Sequence, residues 1–70
     1  MAEVKANMTG TILQVFVKAG DKISVDQDVF AIESMKMEMT IQSTVDGIVK
    51  DVLVKPEDFV QEGQALLTTQ

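Results

Sequence analysis

Gly10-Thr11-Ile12-Leu13-Gln14-Val15-Phe16-Val17-Lys18-Ala19-Gly20-Asp21 is matched, 37 positions further on, by Gly47-Ile48-Val49-Lys50-Asp51-Val52-Leu53-Val54-Lys55-Pro56-Glu57-Asp58. The register continues without a gap, so that residues 10–33 lie over residues 47–70. Gly10 falls on Gly47, Val15 on Val52, Val17 on Val54, Lys18 on Lys55, Asp21 on Asp58 and Gln27 on Gln64. Apolar residues exchange for one another at Ile12 and Val49, Phe16 and Leu53, Ile23 and Val60, Val29 and Leu66, and Phe30 and Leu67. A match that keeps turn residues as well as apolar ones reads as a duplication and not as two Val-rich segments that align loosely. A repeat fixes the architecture before any single element does.

Each half reads as strands. Val15 and Val17 alternate with Gln14 and Lys18 around Phe16, Val52 and Val54 do the same around Leu53, and β-branched residues are dense throughout. No helical period is sustained. Turn chemistry separates the runs at residues 19–22, 26–28, 46–47, 55–58 and 62–63. Short strands at this spacing predict an all-β, antiparallel fold, closed into a flattened barrel or sandwich. Two like halves bury their apolar faces most simply against each other, about an approximate two-fold. The expected organisation is one domain over residues 1–70, with repeat halves 10–33 and 47–70.

Composition limits what such a scaffold can do. The 70 residues hold 46% hydrophobic and 24% charged residues, the balance of a globular domain. A chain this short buries only roughly 60% of its unfolded surface, so its margin of stability is small. It has no Cys and no His, which excludes disulfides, thiolate chemistry, imidazole catalysis and Cys/His zinc sites. No apolar run approaches the roughly 20 residues of a membrane-spanning helix. The formal charge of −5 and only three aromatics, Phe16, Phe30 and Phe59, give neither the positive field nor the stacking surface that nucleic acid needs. Met1-Ala2-Glu3-Val4-Lys5 lacks the basic patch and apolar core of a secretory signal, so a cytoplasmic location is expected.

The segment between the halves, residues 34–46, begins with a stretch that neither half repeats. Met35, Met37 and Met39, three of the five methionines, alternate there with Lys36 and Glu38. In an ordinary strand this would be a Met stripe on the core and charges in solvent. The phase argues for a break. Phe30 and Ile32 are even-numbered, Met39 and Ile41 odd-numbered, and a continuous strand cannot change the face it buries. A tight reversal is therefore predicted near Met35-Lys36, with no Gly, Asn or Pro to make it. Local inconsistency of this kind marks function, and it places Lys36 at an exposed apex between flexible apolar side chains.

Glu33-Ser34-Met35-Lys36-Met37-Glu38 resembles the attachment motif of biotinyl domains, the biotin carboxyl carrier modules in which the lysine between two methionines is biotinylated. Met8-Thr9-Gly10, Val17-Lys18-Ala19-Gly20-Asp21, Val45-Asp46-Gly47 and Gly63-Gln64-Ala65-Leu66 extend the resemblance over essentially the whole chain. It is similar to the small stand-alone members of the biotin/lipoyl attachment family. The resemblance implies two four-stranded antiparallel sheets, an attachment hairpin around residues 34–38 with Lys36 at its tip, and both termini at the other end. It implies a carrier that is not itself an enzyme. Biotin protein ligase would join biotin to the Lys36 ε-amine, with Glu33, Ser34, Met35 and Met37 forming the recognition motif. A biotin carboxylase would load a carboxyl group, and a carboxyltransferase would pass it to an acceptor such as an acyl-CoA. Exposed lysines are mostly protonated near neutral pH, so removing the proton falls to the ligase.

Three features depart from the family. Ser34 stands where Ala is common, a small replacement expected to fit. Glu57 stands opposite Gly20 in the repeat, and Asp26 opposite Gly63. Asp tolerates positive φ better than Glu does, so a different turn shape is expected around Pro56-Glu57. The four glycines, Gly10, Gly20, Gly47 and Gly63, read as turn glycines. Met39 is assigned to the core, Glu33 and Glu38 to solvent, and Lys5, Lys18, Lys22, Lys50 and Lys55 to the surface.

The alternative is a lipoyl carrier for a 2-oxo acid dehydrogenase complex, or a dual acceptor of biotin and lipoate. Lipoyl domains resemble biotinyl ones but typically flank the lysine with Asp and Ala. An unmodified β-barrel interaction module is a second alternative, opposed by the acidic charge. An independent enzyme is the weakest, because no paired carboxylates are arranged for catalysis.

Overall fold

The structure, a computed structural model, describes residues 2–70. It has eight strands: β1 (Glu3–Lys5), β2 (Gly10–Val15), β3 (Lys22–Ile23), β4 (Asp28–Ser34), β5 (Met37–Gln42), β6 (Gly47–Val52), β7 (Phe59–Val60) and β8 (Ala65–Thr69). They form two four-stranded antiparallel sheets, ordered β1-β8-β6-β3 and β5-β4-β2-β7. The all-β fold of two such sheets is the one expected.

Shifting the numbering by 37 converts one sheet into the other. It carries β1 onto the end of β5, β2 onto β6, β3 onto β7 and β4 onto β8. The bonds between elements follow the same rule. Val49 N donates to Asp21 O as Ile12 N donates to Asp58 O, both at 2.8 Å, and Phe16 N donates to Val29 O as Leu53 N donates to Leu66 O. Ala6 N donates to Gln64 O at 2.9 Å, and its counterpart Ser43 N donates to Gln27 O at 2.8 Å. The equivalence thus begins before Gly10, where the residues no longer match but the backbone does. Only the stretch around residues 34–38 stands outside it.

Both halves feed one core. Ile12, Ile23, Val29 and Phe30 are fully buried, as are their counterparts Val49, Val60, Leu66 and Leu67. Each such side chain contributes about 1.5–3 kcal/mol when taken out of water. The two ion pairs, Lys18 with Asp21 and Lys55 with Asp58, each 3.1 Å, lie at the surface and add little by comparison. Among the described residues no helix is long and apolar enough to cross a membrane.

Those ion pairs sit in the turns that the sequence expects to differ, and the structure corrects that expectation. Glu57 takes φ +78° where Gly20 takes +95°. Glu57 N donates to Ile12 O at 2.7 Å as Gly20 N donates to Val49 O at 2.8 Å, and in both turns the fourth residue's N–H returns to the first residue's carbonyl at 3.1 Å. The shape survives because Pro56 precedes the positive-φ residue, where its fixed φ suits a turn of this kind. The Asp58 carboxylate then accepts from both the N–H and the Nζ of Lys55. A left-handed Glu costs about 1–2 kcal/mol, and these bonds hold it in place. Asp26 adopts φ +73° opposite Gly63 at +90° in the same way.

The Lys18 and Lys55 backbone N–H groups, helped by the Nζ bonds, hold the Asp21 and Asp58 carboxyls below their ordinary value of 3.8. A depressed folded-state pKa contributes stability that is complete above the unfolded value and lost as pH falls through the lower folded one. Asp21→Asn combined with Asp58→Asn is therefore expected to lower Tm at neutral pH and to converge on the wild type as acid protonates the two carboxylates. A gap in thermal melts that persisted at acid pH would remove the carboxylate charge as its source.

Candidate functional site

The hairpin of β4 and β5 carries the segment that the repeat leaves over. Its ladder pairs Phe30 with Ile41, Ile32 with Met39, Glu33 with Glu38 and Ser34 with Met37. Even-numbered residues oppose odd-numbered ones, the change of phase that demands a reversal. Val29 and Ala31 are buried as well, so β4 contributes both its faces to the interior. Met35 and Lys36 form the two-residue loop, with φ of +54° and +64°. Positive φ at both central positions suits the right-handed twist of a hairpin, and Asn-Gly is the usual way to reach it. Here two ordinary side chains are held there at about 1–2 kcal/mol each.

The apex is exposed as predicted. Met35 is 91% and Met37 62% exposed, so neither fills the end of the barrel. Along β5 the same face runs from Ile41, buried, through Met39, half-buried against the core, to Met37 in solvent. Glu33 and Glu38, directly opposite each other and exposed, put two like charges on the second rung below the apex. That arrangement opposes pairing and surrounds the lysine with negative potential. Among the described residues the ion pairs engage Lys18 and Lys55 and leave Lys36 out. An exposed primary amine at a fixed apex can be acylated from outside, and nothing in its neighbourhood obstructs a group joined to it. No trio of carboxylates that could hold a metal ion occurs among the described residues.

Ser34 is half-buried beside the two-residue loop, where its hydroxyl donates to Thr9 O at 2.7 Å. Thr9 Oγ1 in turn accepts from Glu62 N at 3.1 Å. That second bond repeats the one from Val25 N to Asp46 Oδ1 at 3.0 Å in the other half, whereas the Ser34 bond belongs to the hairpin alone. Gly10, expected in a turn, opens strand β2 and is buried. A Cβ there would lie 2.2 Å from Glu33 O and 3.2 Å from Ile32 Cγ1. At its counterpart Gly47 the nearest atom would be 3.5 Å away, on the Thr69 side chain.

An open groove of about 570 Å³ runs beside the hairpin, lined by Glu33 to Lys36 together with Met8, Thr9, Phe59 and Glu62. The sequence reading brings Glu33, Ser34, Met35 and Lys36 to this place; Met37 lies outside its lining. It missed Phe59 and Glu62 as site residues. The repeat sets Phe59 against Lys22 and Glu62 against Val25, but Leu13 against Lys50 and Ile32 against Thr69 are mismatched in the same way, so it singled out neither residue.

A family model described as "Biotin-requiring enzyme" matches residues 2–69. The chain is 50% identical over 64 residues to the biotin/lipoyl attachment protein of Bacillus subtilis, with 91% of this chain and 88% of that one covered. It is 39% identical over 57 residues to the biotin carboxyl carrier protein of acetyl-CoA carboxylase from Porphyra purpurea, spanning 81% of this chain and 36% of that one. Over 61 residues it is 38% identical to the dihydrolipoyllysine-residue acetyltransferase component of the pyruvate dehydrogenase complex of Pseudomonas aeruginosa, spanning 87% of this chain and 11% of that one.

Proposed function

From the premise that this chain belongs to the biotin/lipoyl family of attachment domains, we propose that it is a biotin carboxyl carrier whose attachment residue is Lys36. Domains of this family carry a group and do not catalyse. The observation that bears most weight is the exposed Met35-Lys36-Met37 apex at the unrepeated hairpin. Lys36 Nζ holds biotin through an amide, Met35 and Met37 offer polarizable contacts to the biotin protein ligase, and Ser34 ties the end of the hairpin next to the loop to Thr9. Biotin so held supplies a ring that takes a carboxyl group at a biotin carboxylase and yields it at a carboxyltransferase. The chain's own part is to keep Lys36 within reach of both partners, so that delivery depends on tether length and not on bulk concentration.

A lipoyl carrier is the second reading, favoured by the match to the acetyltransferase component and by the double name of the Bacillus relative. The residues beside the lysine weigh against it, because Met35 and Met37 replace the Asp and Ala typical of lipoyl domains. The deciding experiment presents the purified chain to biotin protein ligase with biotin and ATP, and separately to a lipoate ligase with lipoate and ATP. Intact mass and peptide mapping are expected to show a biotin increment on the peptide that holds Lys36. A lipoyl increment without a biotin one would overturn the assignment.

A further inference from the structure

The two-fold gives each position near the hairpin a counterpart in a place without a hairpin, which separates what the scaffold requires from what the site adds. Phe59 occupies the two-residue edge strand β7 and is 64% exposed; its counterpart Lys22 occupies β3 and is also exposed. The fold therefore accommodates a charged side chain at this place in the repeat. Phe59 lines the groove together with Met35 and Lys36 and stands across Thr11 from Glu33 in the sheet; Met8, itself packed against the core, lines it too. Glu33 and Glu62 also line the groove, and Glu38 lies directly across the ladder from Glu33. An exposed aromatic, two methionines and an acidic rim make a surface of the kind that protein interfaces bury at their centre.

We infer that this groove is the second half of the docking surface for the ligase that modifies Lys36, and that it receives an apolar projection of that enzyme flanked by basic residues. The inference deepens the carrier reading and rests on it. The ligase is the fitting occupant because the unextended Lys36 side chain is itself part of the groove wall. A partner that acts on Nζ has to come up against that wall, whereas later partners meet the carried group at the length of the tether. Charge complementarity sets the rim: the chain carries −5 overall, and the carboxylates of Glu33, Glu38 and Glu62 ask for cations opposite them.

The test measures steady-state biotinylation of the purified, unmodified chain by biotin protein ligase, together with direct binding of that chain to the ligase. Phe59→Lys installs the residue the scaffold already carries at the equivalent place, so the variant is expected to melt like the wild type. Its KM should rise about tenfold or more with kcat retained, and its affinity for the ligase should fall in step, the loss typical of a central aromatic contact. Phe59→Ala, which removes the ring without adding charge, should move KM the same way by less. Phe16→Lys, at a residue 48% exposed that does not line the groove, is expected to leave KM unchanged. Wild-type KM and affinity in a folded Phe59→Lys chain would overturn this inference and leave the carrier reading standing. A wild-type chain that accepts no biotin would overturn both.

Discussion

Lys36→Arg is expected to leave a folded chain that takes up no biotin at all, with the increment in intact mass falling from complete to undetectable. Arginine keeps the charge and the length of the apex side chain but offers no amine that can be acylated at neutral pH. The five other lysines do not take over. Lys18 and Lys55 are engaged by Asp21 and Asp58, and Lys5, Lys22 and Lys50 lie on strands within the repeat, away from the hairpin tip. Lys36→Gly tests the same apex from the side of stability. It too should abolish loading, but it removes a left-handed side chain at φ +64°. The relief of about 1 kcal/mol corresponds to a Tm about 4–8 °C higher for a domain of this size. A variant that loses its function and melts later would show that the turn is held in a costly conformation for the sake of the lysine. Residual biotin on Lys36→Arg would place the attachment elsewhere; a Lys36→Gly chain that melted no later would mean the apex is not strained.

The scaffold was legible because a duplicated chain states its architecture twice. Apolar exchanges such as Ile12 with Val49 and Ile23 with Val60 named positions that are fully buried. The change of phase between Ile32 and Met39 called for a turn or a bulge between them, and the reversal lies at Met35-Lys36. The reading fell short where identity is a poor guide to backbone. Glu57 looked incompatible with the turn that Gly20 makes, yet Pro56 and the Asp58 carboxylate enforce the same conformation. Ala6 and Ser43 have nothing in common as side chains but share one hydrogen-bond pattern, so the repeat looked shorter than it is. At the site, the hairpin announced itself by its own residues. Its groove did not, because Met8, Phe59 and Glu62 reach Lys36 only through the pairing of β2 with β4 and β7. No spacing along the chain carries that information.

Gly10→Ala is expected to be the most damaging single-methyl change in the chain. The added Cβ would fall 2.2 Å from Glu33 O and 3.1 Å from Glu33 C, backbone atoms that no rotamer change can move aside. Relief requires β2 to back away from β4, which breaks the pairing of Thr11 with Glu33 and of Ile12 with Ile32. Overpacking of this kind costs about 3 kcal/mol, equivalent to a Tm lower by about 12–24 °C, a large part of what a domain this small has to lose. The displaced residue, Glu33, lies three positions before Lys36, and Ser34, next to it, is bonded to Thr9, next to Gly10. The strands therefore cannot separate without shifting the end of the hairpin that carries the loop. Biotinylation of the fraction that remains folded should slow as well, with faster amide exchange in β4 and β5 than in β6 and β8. If the variant melted within about 2 °C of wild type, where surface substitutions fall, the close approach of β2 to β4 would not be a constraint. Thr9, Gly10 and Ser34 would then have to be dismissed as supports of the apex.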